Sequence, residues 1–367
     1  MLAPLLTLGA VTQFLLKKKA EKVYKMNIGE HRSDSIVLIV GFKDDITTLH
    51  VEKALQARGV DVFILDTGEI GLSTKISYVI DEFKMSGQIE VEGNKIDINQ
   101  IHSVWMRRTR ERRLIEADIP NDNIEFMRFE TEGAVTALLR ILEGSKNIRF
   151  VSSPINMWVA ENKPYQLWLA SKCGLKIPKT LYSNDINESD NFVSRFGPDK
   201  LITKLIDTQS NIIVDQNDQK WAIATGVLSR EKYIDSKHCI EEVPYCFQEL
   251  IFPKIDVRAT VVSRSIFAAA IYAEDVDWRM NDYRTLKHEI IELPKATEES
   301  CLKLMKSLGL QFGAIDLVID QDNDYYFLEV NPAGQWLWIE DMVGLPITDA
   351  LVNLLLASND EQEGSNV

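Results

Sequence analysis

Two β-like runs near the end of the chain, "GAIDLVID" and "YYFLEVN", flank the turn residues "QDND". Apolar alternation on both sides of a short polar break is a hairpin signal. With Gln321 to Asp324 as the loop, Asp320 pairs with Tyr325 and Asp316 falls opposite Glu329. Side chains alternate along a strand, so Glu329 and Asn331 share a face, and Asp316 joins them there. Two like charges directly opposite destabilise a sheet, and burying them costs far more without a compensating cation. A hard divalent ion such as Mg²⁺, which takes oxygen ligands from carboxylates and phosphates, resolves the conflict. A solvent-facing hairpin without an ion is the plainer alternative. The aromatic flanks and the following "NPAG" turn favour the ion.

The chain has 367 residues, enough for about two or three domains. Apolar residues make up 45% and charged residues 26%, the balance of a folded protein. A net charge of −14 disfavours general nucleic-acid binding and makes any basic cluster informative. Four cysteines, Cys173, Cys239, Cys246 and Cys301, form no CxxC pair, and five histidines complete no zinc pattern. Idle thiols in a reducing cytoplasm are expected. The apolar run Leu2 to Leu16 is followed by Lys17, Lys18 and Lys19, whereas a secretory signal carries its charges ahead of the run. It is also shorter than the ~20 residues of a membrane span, so no stable span is expected and residues 1–30 read as an appendage.

Further on, "SIVLIVG" is a buried strand, Ile46 to Arg58 a helix closed by Gly59, and "VDVFILD" a second strand. This order indicates an α/β domain with parallel pairing. The turn "GFKDD" lacks a dinucleotide fingerprint. "IHSVWMRR" is a further strand, Asn123 to Glu143 a long helix, and "IRFVSSP" returns to the sheet, closing a domain over 31–155. A helix is expected to start near Pro164 and end at Gly174. A β-rich segment follows to 247, then a segment over 248–358 with a helix near 297–309, the opening hairpin and a closing helix near 347–357. The tail 359–367 reads as disordered.

Several single residues stand out. "LITKLI" sets Lys204 inside an apolar strand, where an ammonium needs a phosphate or carboxylate partner or an exposed edge. Lys163 sits at a helix start with the same ambiguity. "QELI" offers Gln248 and Glu249 beside Leu250 and Ile251, a mixture suited to a flat base such as adenine. Arg258 follows in an apolar strand, with forked donors suited to phosphate. "RRTRERR" packs Arg107, Arg108, Arg110, Arg112 and Arg113 into seven residues. Arg107 and Arg108 are candidates for capturing substrate carboxylates; the later three read equally well as a solvated loop.

The ordered set Lys163, Lys204, "QELI", Arg258, Asp316 and "EVN" resembles the ATP-grasp superfamily of carboxylate–amine ligases. "SVWMRR", "AENKPYQLWLASKCGLKIPKT", "DVR", "DWR" (Asp277 to Arg279) and "FLEVNPAGQWLWIE" narrow it to the graspetide, or microviridin-type, macrocyclases. The resemblance implies an α/β (α+β) ATP-grasp fold. An N-terminal α/β domain would precede a central lobe (156–247) and a C-terminal lobe (248–358) that sandwich ATP. It implies ATP and Mg²⁺ as cofactors. Lys163 and Lys204 would hold phosphates, Gln248, Glu249, Leu250 and Ile251 the adenine, and Arg258 the γ-phosphate. Asp316, Glu329 and Asn331 would hold the metal, Arg258, Lys204 and Asn331 would serve the chemistry, and Arg107, Arg108, Asp277 and Arg279 would hold substrate. The implied partner is a ribosomal precursor peptide with a leader and an acidic core, and the implied assembly a homodimer. The glycine-free "DTQSNIIVDQNDQ" departs from the family's glycine-rich phosphate loop. A ligase adding free amino acids and a non-catalytic nucleotide-binding subunit are the competing readings.

Overall fold

A computed structural model describes residues 36–357, apart from 83–84, 112, 114–122, 146, 207–211, 215–219 and 223–224. The N-terminal appendage, the C-terminal tail and most of the glycine-free loop lie outside the described residues. Two compact units result. One contains the residues to Met157 with 309–312 and those from Pro346; the other contains Trp158–Leu308 and Gly313–Leu345.

The first unit begins with β1 (Ile36–Val40), α1 (Ile46–Gln56) and β2 (Asp61–Leu65). All five β1 residues are buried, as expected of a strand with parallel neighbours on both sides. The Asp45 carboxylate caps α1 by accepting the Thr47 amide at 3.2 Å. Then come β3 (Thr74–Ile80), β4 (Met85–Val91) and β5 (Asn94–Asp97), a separate three-stranded antiparallel sheet that the sequence reading did not assign. Next are β6 (Ile101–Met106), α2 (Ile124–Gly144) and β7 (Arg149–Val151). The main sheet is parallel, in the order β2-β1-β6-β7. Helix α2 buries Val135, Leu138, Leu139 and Leu142, a single stripe at helical spacing.

Helix α3 (Pro154–Ala160) leads into the second unit. There α4 (Lys163–Cys173) is capped by the Asn162 side chain, which accepts the Tyr165 amide at 2.9 Å, and ends at Gly174 with φ +99°. It is followed by β8 (Thr180–Ser183), α5 (Ile186–Phe196), β9 (Leu201–Thr203), β10 (Ile212–Val214), β11 (Lys220–Ala222), β12 (Gly226–Val227), α6 (Arg230–Ile240) and β13 (Tyr245–Glu249). The sheet β12-β9-β13-β8 packs through Val193, Leu201, Leu228, Tyr233, Ile240 and Phe247. Strands β14 (Ile255–Val262), β15 (Ser265–Tyr272) and β16 (Lys287–Ile291), helix α7 (Lys295–Ser307), and strands β17 (Phe312–Ile319) and β18 (Tyr325–Asn331) complete the unit with α8 (Leu337–Val343). The larger sheet runs β16-β15-β14-β17-β18. In the first unit, α9 (Ile347–Leu356) buries most of its residues and packs on α1 and β6.

The hairpin register departs instructively from expectation. Tyr325 pairs with Ile319, not Asp320, so the loop is one residue longer. A bulge between Asp316 and Leu317 then inserts Leu328 as an extra residue on β18, and Asp316 still pairs with Glu329. Leu328 and Glu329 both line the cavity of this unit, as do Asp316, Leu317 and Val318 on the facing strand.

Candidate active site

The cavity in the second unit encloses about 330 Å³. Lys163, Lys204, Gln248, Glu249, Leu250, Ile251, Asp277, Arg279, Asp316 and Glu329 all line it. Ten of the sequence-selected positions therefore meet in one place.

The two carboxylates divide their oxygens. Asp316 Oδ1 accepts from Arg258 Nη1 at 2.7 Å, and Oδ2 from Arg279 Nη2 at 2.5 Å. Glu329 Oε2 lies 3.3 Å from Lys163 Nζ, and Oε1 accepts from Arg279 Nη2 at 3.3 Å. Burial alone would lift the Glu329 carboxyl, but Lys163, Arg279 and Lys204 together outweigh it and hold it below the usual carboxylate range. Lys204 shows the opposite effect. Desolvation lowers its ammonium from the ordinary value against the pull of nearby Glu329. The strand β9 ends at Thr203, so Lys204 stands just beyond it and not within it as the sequence suggested.

Arg258 is buried on β14 opposite Ala269, and it is not among the cavity-lining residues. Its second amine donates to the Gln335 carbonyl at 2.9 Å. Its guanidinium thus pins Asp316 to the segment before α8. Gly334 makes this approach possible: a Cβ there would lie 2.4 Å from Ala314 Cβ and 3.3 Å from Arg258 Nη2. Asn331 is exposed, and its carboxamide oxygen accepts the Ala333 amide at 2.9 Å. Gln248 is buried and donates to Thr180 Oγ1 at 2.8 Å, while the Glu249 carboxylate accepts the Lys179 amide at 3.2 Å. Asp277 Oδ1 accepts the Arg279 amide at 3.1 Å and lies 3.5 Å from its Nη1.

The oxygens of Asp316 and Glu329 fit a hard divalent ion. One nitrogen of Arg279 already touches both carboxylates, so a single cation can contact both. Among the described residues no cluster of three or more His, Cys, Asp or Glu offers a complete protein cage. Two carboxylates completed by phosphate oxygens suit Mg²⁺.

Arg107 and Arg108 belong to the first unit. Arg107 is 1% exposed, and its Nε donates to Asp45 at 2.9 Å. Burial, reinforced by neighbouring Arg108, pulls its guanidinium down to about 10. Arg108 is exposed at the carboxyl end of β6, the end where open α/β sheets bind ligands. Arg110 is bound to Asp66 and Asp44, and Arg113 to Glu69. Arg112 lies outside the described residues.

Sequence reasoning missed three features. Lys254 and Asp256 form a buried ion pair that lines the cavity; burial pushes the Asp256 carboxyl up, with Lys254 opposing. Their i, i+2 spacing beside "QELI" was the available signal. Trp338 packs 4.9 Å from Trp278, 5.6 Å from Tyr283 and 5.8 Å from His288. This aromatic group ties the "GQWLWIE" segment to the turn that carries Arg279. Gln166 is the third, and it bonds to both peptide groups of Val330.

The architecture is that of the ATP-grasp fold. It superposes on the macrocyclase MdnC bound with precursor peptide MdnA from Microcystis aeruginosa MRC, with a TM-score of 0.76 and 27% identity. That match covers 87% of this chain and 98% of the other. A Chryseobacterium gregarium RiPP-associated ATP-grasp ligase in complex with ADP and a leader and core peptide gives a TM-score of 0.79 at 24% identity, over 88% and 96% of the two chains. Residues 36–153 match the MvdD pre-ATP grasp domain, and residues 160–355 match the RimK-like ATP-grasp domain. The chain therefore belongs to the RimK-like ATP-grasp family, a family of ATP-dependent ligases. Among curated relatives it is 24% identical, over 183 residues and 49% of its length, to the tetrahydromethanopterin:alpha-L-glutamate ligase of Methanocaldococcus jannaschii. It spans 60% of that relative's length. No described helix is long and apolar enough to cross a membrane.

Proposed function

We propose that this chain is an ATP-dependent peptide ligase acting on a ribosomal precursor peptide. It would activate Asp or Glu side chains as acyl-phosphates and join each to a Ser/Thr hydroxyl or a Lys amine, closing ester or amide macrocycles. The observation that carries the reading is the convergence of Lys163, Lys204 and Arg279 on Asp316 and Glu329 beside the "QELI" stretch. The likeness to MdnC over nearly all of that chain supports a peptide substrate. Four free thiols suit work in the cytoplasm, and the resemblance extends the proposal to a homodimer.

In this reading Lys163 and Lys204 bind the nucleotide phosphates, and Gln248 to Ile251 line the adenine. Asp316, Glu329 and Asn331 hold Mg²⁺, which when bound neutralises charge on the phosphate oxygens. Arg258 keeps Asp316 aimed into the cavity. Asp277 orients Arg279, and Arg108 is the exposed candidate for gripping an acidic residue of the peptide. The substrate carboxylate attacks the γ-phosphorus and ADP leaves; the hydroxyl or amine then displaces phosphate and gives up its proton. The protein contributes placement and positive charge. Glu329→Gln is expected to keep peptide binding and lose ADP formation. ADP release by that variant at the wild-type rate would refute the metal role. Addition of free amino acids to a carboxylate is the second reading, favoured by the glutamate-ligase relative.

A further inference from the structure

Arg279 occupies a position that its expected role does not explain. Its Nη2 alone reaches the facing oxygens of both carboxylates, at 2.5 Å from Asp316 and 3.3 Å from Glu329. The outer oxygens are committed elsewhere, Asp316 Oδ1 to Arg258 and Glu329 Oε2 to Lys163. A divalent ion held by the two facing oxygens, at about 2.1 Å from each, needs the space that this nitrogen fills. Two cations cannot share it. We propose that Arg279 is a resident counter-ion of the carboxylate pair, and that metal binding is an exchange in which its guanidinium is displaced. The proposal rests on the metal reading of Asp316 and Glu329.

Three observations single out Arg279 as the cation that leaves. The side chains of Arg258 and Lys163 are 8% and 16% exposed, whereas that of Arg279 is 47% exposed. Arg258 lies within β14 and Lys163 at the capped start of α4, so the backbone of each is fixed by regular structure. Arg279 instead stands in the irregular connection between β15 and β16, on a single short turn. Its guanidinium also lies over the Trp278 ring, 5.4 Å from the centroid, and Trp278 packs on Trp338. The connection therefore has an aromatic anchor beside Arg279 that would report optically on a displacement of its guanidinium. An exchange of this kind keeps the facing carboxylates neutralised whenever the metal is away, which removes the like-charge conflict across β17 and β18. The displaced guanidinium remains beside the site and becomes available to an anion.

A resident counter-ion competes with the metal, so its removal strengthens metal binding. The test is titration of the full chain with Mn²⁺ alone, followed by the electron paramagnetic resonance of free Mn²⁺. Arg279→Gln is expected to bind about tenfold more tightly than wild type, the worth of two partly exposed ion-pair contacts. Arg279→Lys, with a compact charge that reaches the pair less well, is expected to fall between. Tryptophan fluorescence of the wild type should change on Mn²⁺ addition, and Trp278→Phe should lose that change. Equal or weaker Mn²⁺ binding by Arg279→Gln, with binding still lost in Glu329→Gln, overturns the exchange and leaves the metal site standing. Undiminished Mn²⁺ binding by Glu329→Gln overturns both.

Discussion

Replacing Gln166 with Met tests how strand β18, which carries Glu329 and Asn331, is held. Gln166 is 2% exposed on α4. Its carboxamide oxygen accepts the Val330 amide at 2.9 Å, and its nitrogen donates to the Val330 carbonyl at 2.9 Å and to the Ala160 carbonyl. Strand β18 is at the edge of its sheet, so this side chain satisfies the edge at Val330 as another strand would. The Lys176 carbonyl does the same at the Phe327 amide, 2.8 Å away. Met conserves length and removes three hydrogen bonds, leaving buried peptide groups unpaired. At about 1–1.5 kcal/mol for each bond lost, the cost is about 3–4.5 kcal/mol. Hydrogen exchange followed by mass spectrometry on the 325–331 segment reads it directly. The Val330 amide is expected to exchange at least about a hundredfold faster, since each 1.4 kcal/mol is a factor of ten. Glu329 and Asn331 flank Val330, so ADP formation should fall as well. Unchanged exchange at Val330 would mean that the edge is held by β17 alone.

Three further outcomes follow from the same geometry. Gly334→Ala drives a methyl into Ala314 and against Arg258; it should cost about 1–3 kcal/mol in urea unfolding and lower ADP formation by disturbing Asp316. Arg108→Ala should raise the KM for an acidic peptide and leave ATP affinity unchanged, whereas Arg107→Ala should lower the stability of the first unit by about 3 kcal/mol through the unpaired Asp45. Burial works against the Asp45 carboxylate, but Arg107 and the Thr47 and Thr48 hydrogen bonds more than offset it and depress its pKa. The stability it contributes is therefore present above the ordinary Asp value of about 3.9 and lost as pH falls through the lower folded value. Urea midpoints of wild type and Asp45→Asn should differ at pH 7 and converge toward pH 3.

Much of the site was legible because it depends on local pattern. Apolar alternation around "QDND" placed Asp316 opposite Glu329, and Pro164 with Gly174 bounded α4. That success hid an error: the loop is one residue longer than its turn residues suggested, and a bulge at Leu328 restored the pairing. Bulges answer to strand twist and tertiary packing, which no short window carries. Arg258 read as a phosphate ligand because a forked cation in an apolar strand needs an anion, and the structure supplies that anion as Asp316. Arg107 misled similarly, since its partner Asp45 is distant in sequence. Gln166 was invisible because its two bonds to Val330 run to a strand 164 residues away, and a lone glutamine on a helix carries no pattern. The sheet β3-β4-β5 was missed where its half-exposed strands, such as "TKISYVI", carry too weak an apolar signal.

ATP-driven ring closure in a peptide removes water from it, so the mass of the product reads the reaction. Candidate precursor peptides encoded beside the gene would be incubated with the protein, ATP and Mg²⁺, and their intact masses recorded. Loss of one water for each bond formed is expected, with fragmentation locating the rings between acidic residues and Ser, Thr or Lys. A gain equal to an added amino acid would contradict macrocyclisation and assign the chain to the tailing ligases. Unchanged masses with no ADP released would contradict peptide ligation altogether.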